Sequence, residues 1–189
     1  VTHCGDSAIA NKAANNGVNV QQGGTFNLYG GSISGNKTTG GGGGVNVSGG
    51  MFNMYGGIIT GNMANVGGGG VYVKSGASNN GTFKMSGGTI TENNANNTYG
   101  GGGVYVTGKS STFTMSGSAS ITKNTAIDGG GVYVTGGKFE MTSGSITGNE
   151  ATGSKSKGGG VYAGGEFNMT GGTIGGTNTG EANKAYYGG

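Results

Sequence analysis

The sequence predicts an all-β, three-sided solenoid of parallel strands, with about six coils averaging 28.6 residues. Three observations predict it. A Gly-Val unit recurs at Gly17, Gly44, Gly70, Gly103, Gly131 and Gly160, at spacings of 27, 26, 33, 28 and 29 residues. A fixed period of this size marks stacked repeats rather than a conventional domain. Each repeat carries short beats of alternating apolar and polar residues, the period-two signature of a strand with one buried face. Of 189 residues, 51 are Gly, with no Pro, Trp or Arg and one Leu. Mid-helix glycine costs roughly 1 kcal/mol each, which excludes a helical or doubly wound domain. Collagen needs Pro and a glycine at every third position.

The first beat is Val18-Asn19-Val20, then Val45-Asn46-Val47, Val71-Tyr72-Val73, Val104-Tyr105-Val106, Val132-Tyr133-Val134 and Val161-Tyr162-Ala163. The second pairs Phe with Leu or Met: Phe26 and Leu28, Phe52 and Met54, Phe83 and Met85, Phe113 and Met115, Phe139 and Met141, Phe167 and Met169. The third is an isoleucine flanked mostly by Ser or Thr: Ile33, Ile59, Ile90, Ile121, Ile146 and Ile174. A three-residue strand buries nothing alone, but coil stacked on coil makes three sheets around a continuous core. At ~4.8 Å per coil, six coils form a rod ~29 Å long. The Phe-to-Ile distance is 7 or 8 residues, whereas the Val strand lies 4 to 10 residues before Phe, so one corner is tight and the other tolerates insertions.

The six repeats span residues 17–176 of a single solenoid covering 1–189. Residues 1–16 read as a degenerate partial coil containing Ile9 and Asn11, and 177–189 as the start of a further coil or a terminal segment. Asn36, Asn62, Asn93, Asn124 and Asn149 each follow the isoleucine by three residues, with Thr177 in that place in the sixth coil. Stacked amides bond one another and the turn backbone, so this column is expected to be structural. The glycine runs before the Val strands lack the Gly-Lys-Ser/Thr of a phosphate loop and read as turns.

The recurring text of Gly56-Gly57-Ile58-Ile59-Thr60-Gly61-Asn62-Met63-Ala64 resembles the right-handed parallel β-helix repeats of pectin-lyase-like proteins. It is most similar to the arrays of adhesin-like and polymorphic outer-membrane-type surface proteins of bacteria and archaea. The resemblance implies a right-handed coil and a secreted or cell-surface location. It leaves function open, because this architecture hosts lyases, hydrolases, adhesins and tailspikes.

Enzymes of the resembled kind use calcium-binding Asp clusters, an Arg or Lys base, or grouped Asp residues. This chain has only Asp6 and Asp128, several coils apart. Glycoside hydrolysis needs paired carboxylates, and the glutamates occupy different repeat positions, so no catalytic residue, metal or cofactor is expected. Lys138 and Glu166 fall one above the other and read as a surface ion pair. His3 and Cys4 supply only two zinc ligands, and a lone cysteine closes no internal disulfide. Ten scattered Lys against seven acidic residues, a net charge of +3, form no nucleic-acid footprint. No apolar run is long enough for a helical membrane span.

The outward columns remain. With Val pointing in, Tyr72, Tyr105, Tyr133 and Tyr162 point out as an aromatic strip suited either to docking a sugar ring or partner or to stabilising the sheet. Beside the isoleucines, Thr60, Thr89, Thr91, Thr122, Thr147 and Thr173 stand with Ser residues in two hydroxyl columns similar to the face of ice-binding solenoids. The expected function is a non-catalytic structural and adhesive rod that contacts a glycan or protein and stacks end to end. Its alternatives are an ice-binding solenoid and an accessory part of a polysaccharide lyase or hydrolase.

Overall fold

In a computed structural model the chain forms a solenoid of parallel strands; residues 2–3, 8–9, 15–96 and 100–188 are described. Among them there is no helix, hence none long and apolar enough to cross a membrane. Strands stack in four sheets, every pairing parallel and every neighbour one coil away in sequence.

The Val sheet runs from Val18–Val20 to Val161–Ala163. The Phe sheet runs from Thr2–His3 to Glu166–Met169, and the Ile sheet from Ala8–Ile9 to Thr173–Ile174. Register puts like on like. Phe83 pairs with Phe52 and Phe113, Ile90 with Ile59 and Ile121, and Val71 with Val45 and Val104. A slip of one residue would turn every core side chain outward, so the alternation itself fixes register.

The core is a set of ladders. Consecutive Phe rings from Phe26 to Phe167 lie 4.6–5.2 Å apart with interplanar angles of 4–16°. Parallel in-register strands about 4.8 Å apart impose near-parallel rings at a separation within the range that aromatic pairs prefer. Phe52, Phe83, Phe113 and Phe139 are fully buried, each worth about 1.5–3 kcal/mol of burial.

A fourth, narrow sheet joins the three expected ones. Its strands are Lys37–Thr38, Met63–Ala64, Asn94–Ala95, Thr125–Ala126 and Glu150–Ala151, immediately after the asparagine column. Thr38, Ala64, Ala95, Ala126 and Ala151 turn inward and are buried. The space is tight because the glycine run packs flat against this sheet. A Cβ on Gly69 would stand 2.5–2.6 Å from the backbone of Asn94, and one on Gly102 equally close to Thr125. Only glycine permits that approach.

At the N-terminal end, Thr2 and His3 pair with Asn27 and Leu28, and Ala8 and Ile9 with Ser32 and Ile33. Cys4, Asp6 and Asn11 lie outside the described residues.

Candidate functional site

The asparagine column is internal and continuous. Asn36, Asn62, Asn93, Asn124 and Asn149 are buried. Each side-chain oxygen from Asn62 onward accepts two hydrogen bonds, from the backbone N–H and the Nδ2 of the asparagine one coil before it, at 2.8–3.0 Å. Each Nδ2 also donates to a backbone carbonyl, as Asn93 does to Ile59 and Thr91 at 2.9 Å. The sixth member is not Thr177. Asn183 takes the place, accepting from Asn149 and donating to Ile146 at 2.8 Å. Thr177 is displaced because residues 175–182 form an extra loop, pinned where Glu181 accepts from the backbone and side chain of Asn178. The sequence signal was the triplet Asn183-Lys184-Ala185, the same Asn-x-Ala text as the earlier coils. These side chains are structural, with no surface to offer a ligand.

The tyrosines of the Val sheet form a column. Tyr72 and Tyr105 stack at 5.1 Å, Tyr133 and Tyr162 at 4.8 Å, while Tyr105 and Tyr133 tilt by 55°. The rings do not stand up from the sheet. Tyr72 lies over Gly41, where a Cβ would stand 2.5 Å from the ring, and Tyr105 over Gly67, where it would stand 2.6 Å away. Tyr105 is only 6% exposed, and its hydroxyl is 3.1 Å from that of Thr135. Below Tyr72 the column changes to amides. Asn46 Nδ2 donates to Asn19 Oδ1 at 3.0 Å, and Asn46 Oδ1, meeting a ring rather than another amide, is buried without a hydrogen-bond partner.

There the surface becomes concave. A groove of about 370 Å³ is lined by Asn19, Gln21, Gln22, Asn46, Ser48 and Lys74. Its wall is the long corner of the third coil, residues 75–81, which accounts for much of the 33-residue spacing. The corner closes on itself through Gly76 N–H to the Asn79 carbonyl, 2.8 Å, and reaches back two coils, where Ser78 N–H donates to Gln22 Oε1 at 3.1 Å. Lys74 Nζ sits 5.8 Å from the Tyr72 ring centroid and forms no ion pair among the described residues. The lining thus combines amides, a hydroxyl and one ammonium, with no carboxylate.

On the Ile sheet the hydroxyl columns are in register. Thr60, Thr91, Thr122 and Thr147 succeed one another, and Thr89 pairs with Ser120, itself paired with Ser145 and then Thr173. Thr147 Oγ1 donates to Thr122 Oγ1, and Ser145 Oγ to Ser120 Oγ, both at 3.5 Å.

The outward Phe-sheet face carries two features. Lys138 bonds both Glu140, 2.7 Å, and Glu166, 3.1 Å, so the expected pair is a triad that Glu140 joins from two residues along the same strand. The Lys138 ammonium, with Asn168, holds the Glu166 carboxyl below the usual carboxylate range. A carboxylate held in this way is ionised at neutral pH and is not poised as a general acid. Near the other end, Tyr29 and Tyr55 stack at 4.7 Å and 10°, each half exposed. Two tyrosines three residues after Phe, each followed by Gly-Gly, were the sequence's sign of this pair.

Among the described residues no three His, Cys, Asp or Glu side chains come together to hold a metal. Compared with family models, curated proteins and solved structures, the chain matches none.

Proposed function

We propose that this chain is a non-catalytic structural and adhesive segment of a secreted or cell-surface protein, and that it contacts glycans through the groove at the foot of the tyrosine column. The groove's lining carries this reading. Amide groups donate and accept at once, which matches neighbouring sugar hydroxyls, and a site of a few hundred cubic ångströms with converging polar groups is of ligand size. The repeat text that resembles adhesin-like arrays and the weakly charged, hydroxyl-rich surface support the extracellular placement. The carboxylates that meet among the described residues, Glu140 and Glu166, are both tied up by the Lys138 ammonium, which supports a binding rather than a hydrolytic role.

The test is a glycan array probed with the wild-type chain and with the double variant Gln21→Ala/Lys74→Ala, with circular dichroism to verify the fold. At least one glycan that binds the wild type and no longer binds the variant is the expected result. Equal binding by both proteins rejects the groove, and no binding by the wild type rejects glycan recognition. Tyr105→Ser/Tyr133→Ser separates the column from the groove: with Tyr105 buried, that change lowers stability and leaves the glycan profile intact.

A second reading rests on the Ile sheet, where four successive threonines stand in register. Hydroxyls and methyls repeated at strand spacing order water, the property an ice-binding face needs. Thermal hysteresis decides it, and its absence removes the reading.

A further inference from the structure

The large apolar side chains that face outward are unevenly distributed. In the second coil, Met51, Tyr55 and Ile58 are all exposed, Tyr55 by 49%. The same three columns hold Thr82, Ser86 and Thr89 one coil later, and Thr112, Ser116 and Ser120 after that. Coil stacking does not require these three, because the smaller residues serve the same positions elsewhere.

Their arrangement is specific. Met51, Asn53 and Tyr55 alternate along one strand and its continuation, so all three project from the outer face of the Phe sheet. Beside Met51 lies a depression of about 260 Å³, also lined by Thr25, Asn79 and Asn80, on the opposite flank of the corner that walls the groove. In the middle, Asn53 Nδ2 donates to Asn27 Oδ1 at 2.9 Å. That leaves Asn27 Nδ2 and Asn53 Oδ1 unpaired among the described residues, one donor and one acceptor side by side. At the far end Tyr55 turns one ring face to Tyr29. Its other face looks along the rod toward Ser86, the residue in register one coil on, which is too small to cover it.

The geometry points to a second binding track on the outer Phe sheet, for a neutral oligosaccharide lying along the second coil. A pyranose stacks its C–H face on the open ring of Tyr55, the next unit bonds the Asn27–Asn53 amide pair, and the chain ends in the depression at Met51. From Met51 to Tyr55 the track is about 14 Å long, the span of a trisaccharide. A stacked aromatic with polar groups beside it suits a sugar's alternating apolar faces and hydroxyl rims. The track lies on a different face from the groove and does not depend on it.

Binding of cellohexaose, xylohexaose and mannohexaose, followed by saturation-transfer NMR and calorimetry, tests the track with two opposite variants. Tyr55→Ser removes the platform. Ser86→Tyr leaves the platform in place and covers its open face with a third stacked ring. At least one hexaose is expected to bind the wild type, and both variants weaken it by about tenfold or more. The groove variant Gln21→Ala/Lys74→Ala keeps wild-type affinity for that hexaose, so failure of the groove and failure of the track are read separately. Full affinity in Ser86→Tyr overturns the proposal, as does a wild-type chain that binds none of the three at about 1 mM.

Discussion

Asn149 and Asn183, 34 residues apart, are joined by two hydrogen bonds: the Asn183 side-chain oxygen accepts from the Asn149 backbone N–H at 2.9 Å and from its Nδ2 at 3.0 Å. The amide ladder therefore runs on past the loop of 175–182 and fastens the last segment to the rod. Asn183→Ala leaves the buried backbone N–H of Asn149 unpaired and takes one acceptor from its Nδ2, which keeps the carbonyls of Ile121 and Thr147, and is expected to cost about 2 kcal/mol. Hydrogen exchange should show the loss concentrated after residue 174, with the first coils unaffected.

Mid-ladder, the same change costs more. Asn93→Ala removes an acceptor for Asn62 and donors to Ile59, Thr91 and Asn124 together, an expected loss of about 3 kcal/mol in denaturant unfolding. Asn93→Asp keeps the acceptor and aims a carboxylate at three oxygens, so at neutral pH it should be no better than alanine. Rescue by aspartate would contradict the donor half of this account.

The turn after the isoleucine is left-handed in successive coils, with φ of 66° at Gly35, 61° at Gly61 and 63° at Gly148. Two coils place other residues there, Glu92 at φ 56° and Lys123 at φ 54°. A side chain in that region costs roughly 1–2 kcal/mol. Glu92→Gly and Lys123→Gly should each stabilise the rod by about 1 kcal/mol, and Gly61→Ala should destabilise it by a similar amount although a Cβ there meets nothing within 4 Å. Thermal unfolding of the three variants checks the signs.

Gly41 tests the recumbent tyrosines. A methyl at this position strikes the Tyr72 ring, so Gly41→Ala must lift the ring or shift the corner, an overpacking cost of about 1–3 kcal/mol. Near-ultraviolet circular dichroism should report the disturbed Tyr72–Tyr105 stack. An unchanged spectrum and stability would mean that the ring stands clear of Gly41.

The charged triad has a defined pH behaviour. Glu166 is held below its ordinary value, first by the hydrogen bond from Lys138 and then by Asn168. Its contribution is present above the unfolded-state value and is lost as pH falls through the lower folded one. Lys138 is raised by the hydrogen bonds it donates to Glu140 and then Glu166, so its contribution is complete below the ordinary lysine value and is lost as pH rises through the higher folded one. Both groups are solvent-exposed, and the effect on stability is small. A carbon-detected NMR titration should place Glu166 below a typical glutamate, and Lys138→Met should return it most of the way upward.

The core columns were legible because two periods coincide in the text. Alternation within a strand sends Phe83 and Met85 inward, and the coil period sets Phe83 over Phe52 and Phe113. The Lys138–Glu166 contact was legible for the same reason. The fourth sheet was not, since a two-residue strand such as Met63–Ala64 has no alternation to detect, only the recurring small residue after asparagine. Nor was the burial of Tyr105, which depends on Gly67 of another coil letting the ring lie down.

By itself, then, the sequence determined which residues stack, because in-register parallel pairing turns a repeated letter into a column. Only the tertiary structure decided what the insertions do. The corner at 75–81 becomes a groove wall by reaching Gln22, and the loop at 175–182 loops out so that Asn183 can close the ladder. Loop conformation is set by contacts with coils distant in sequence, and a repeat pattern carries no record of those contacts.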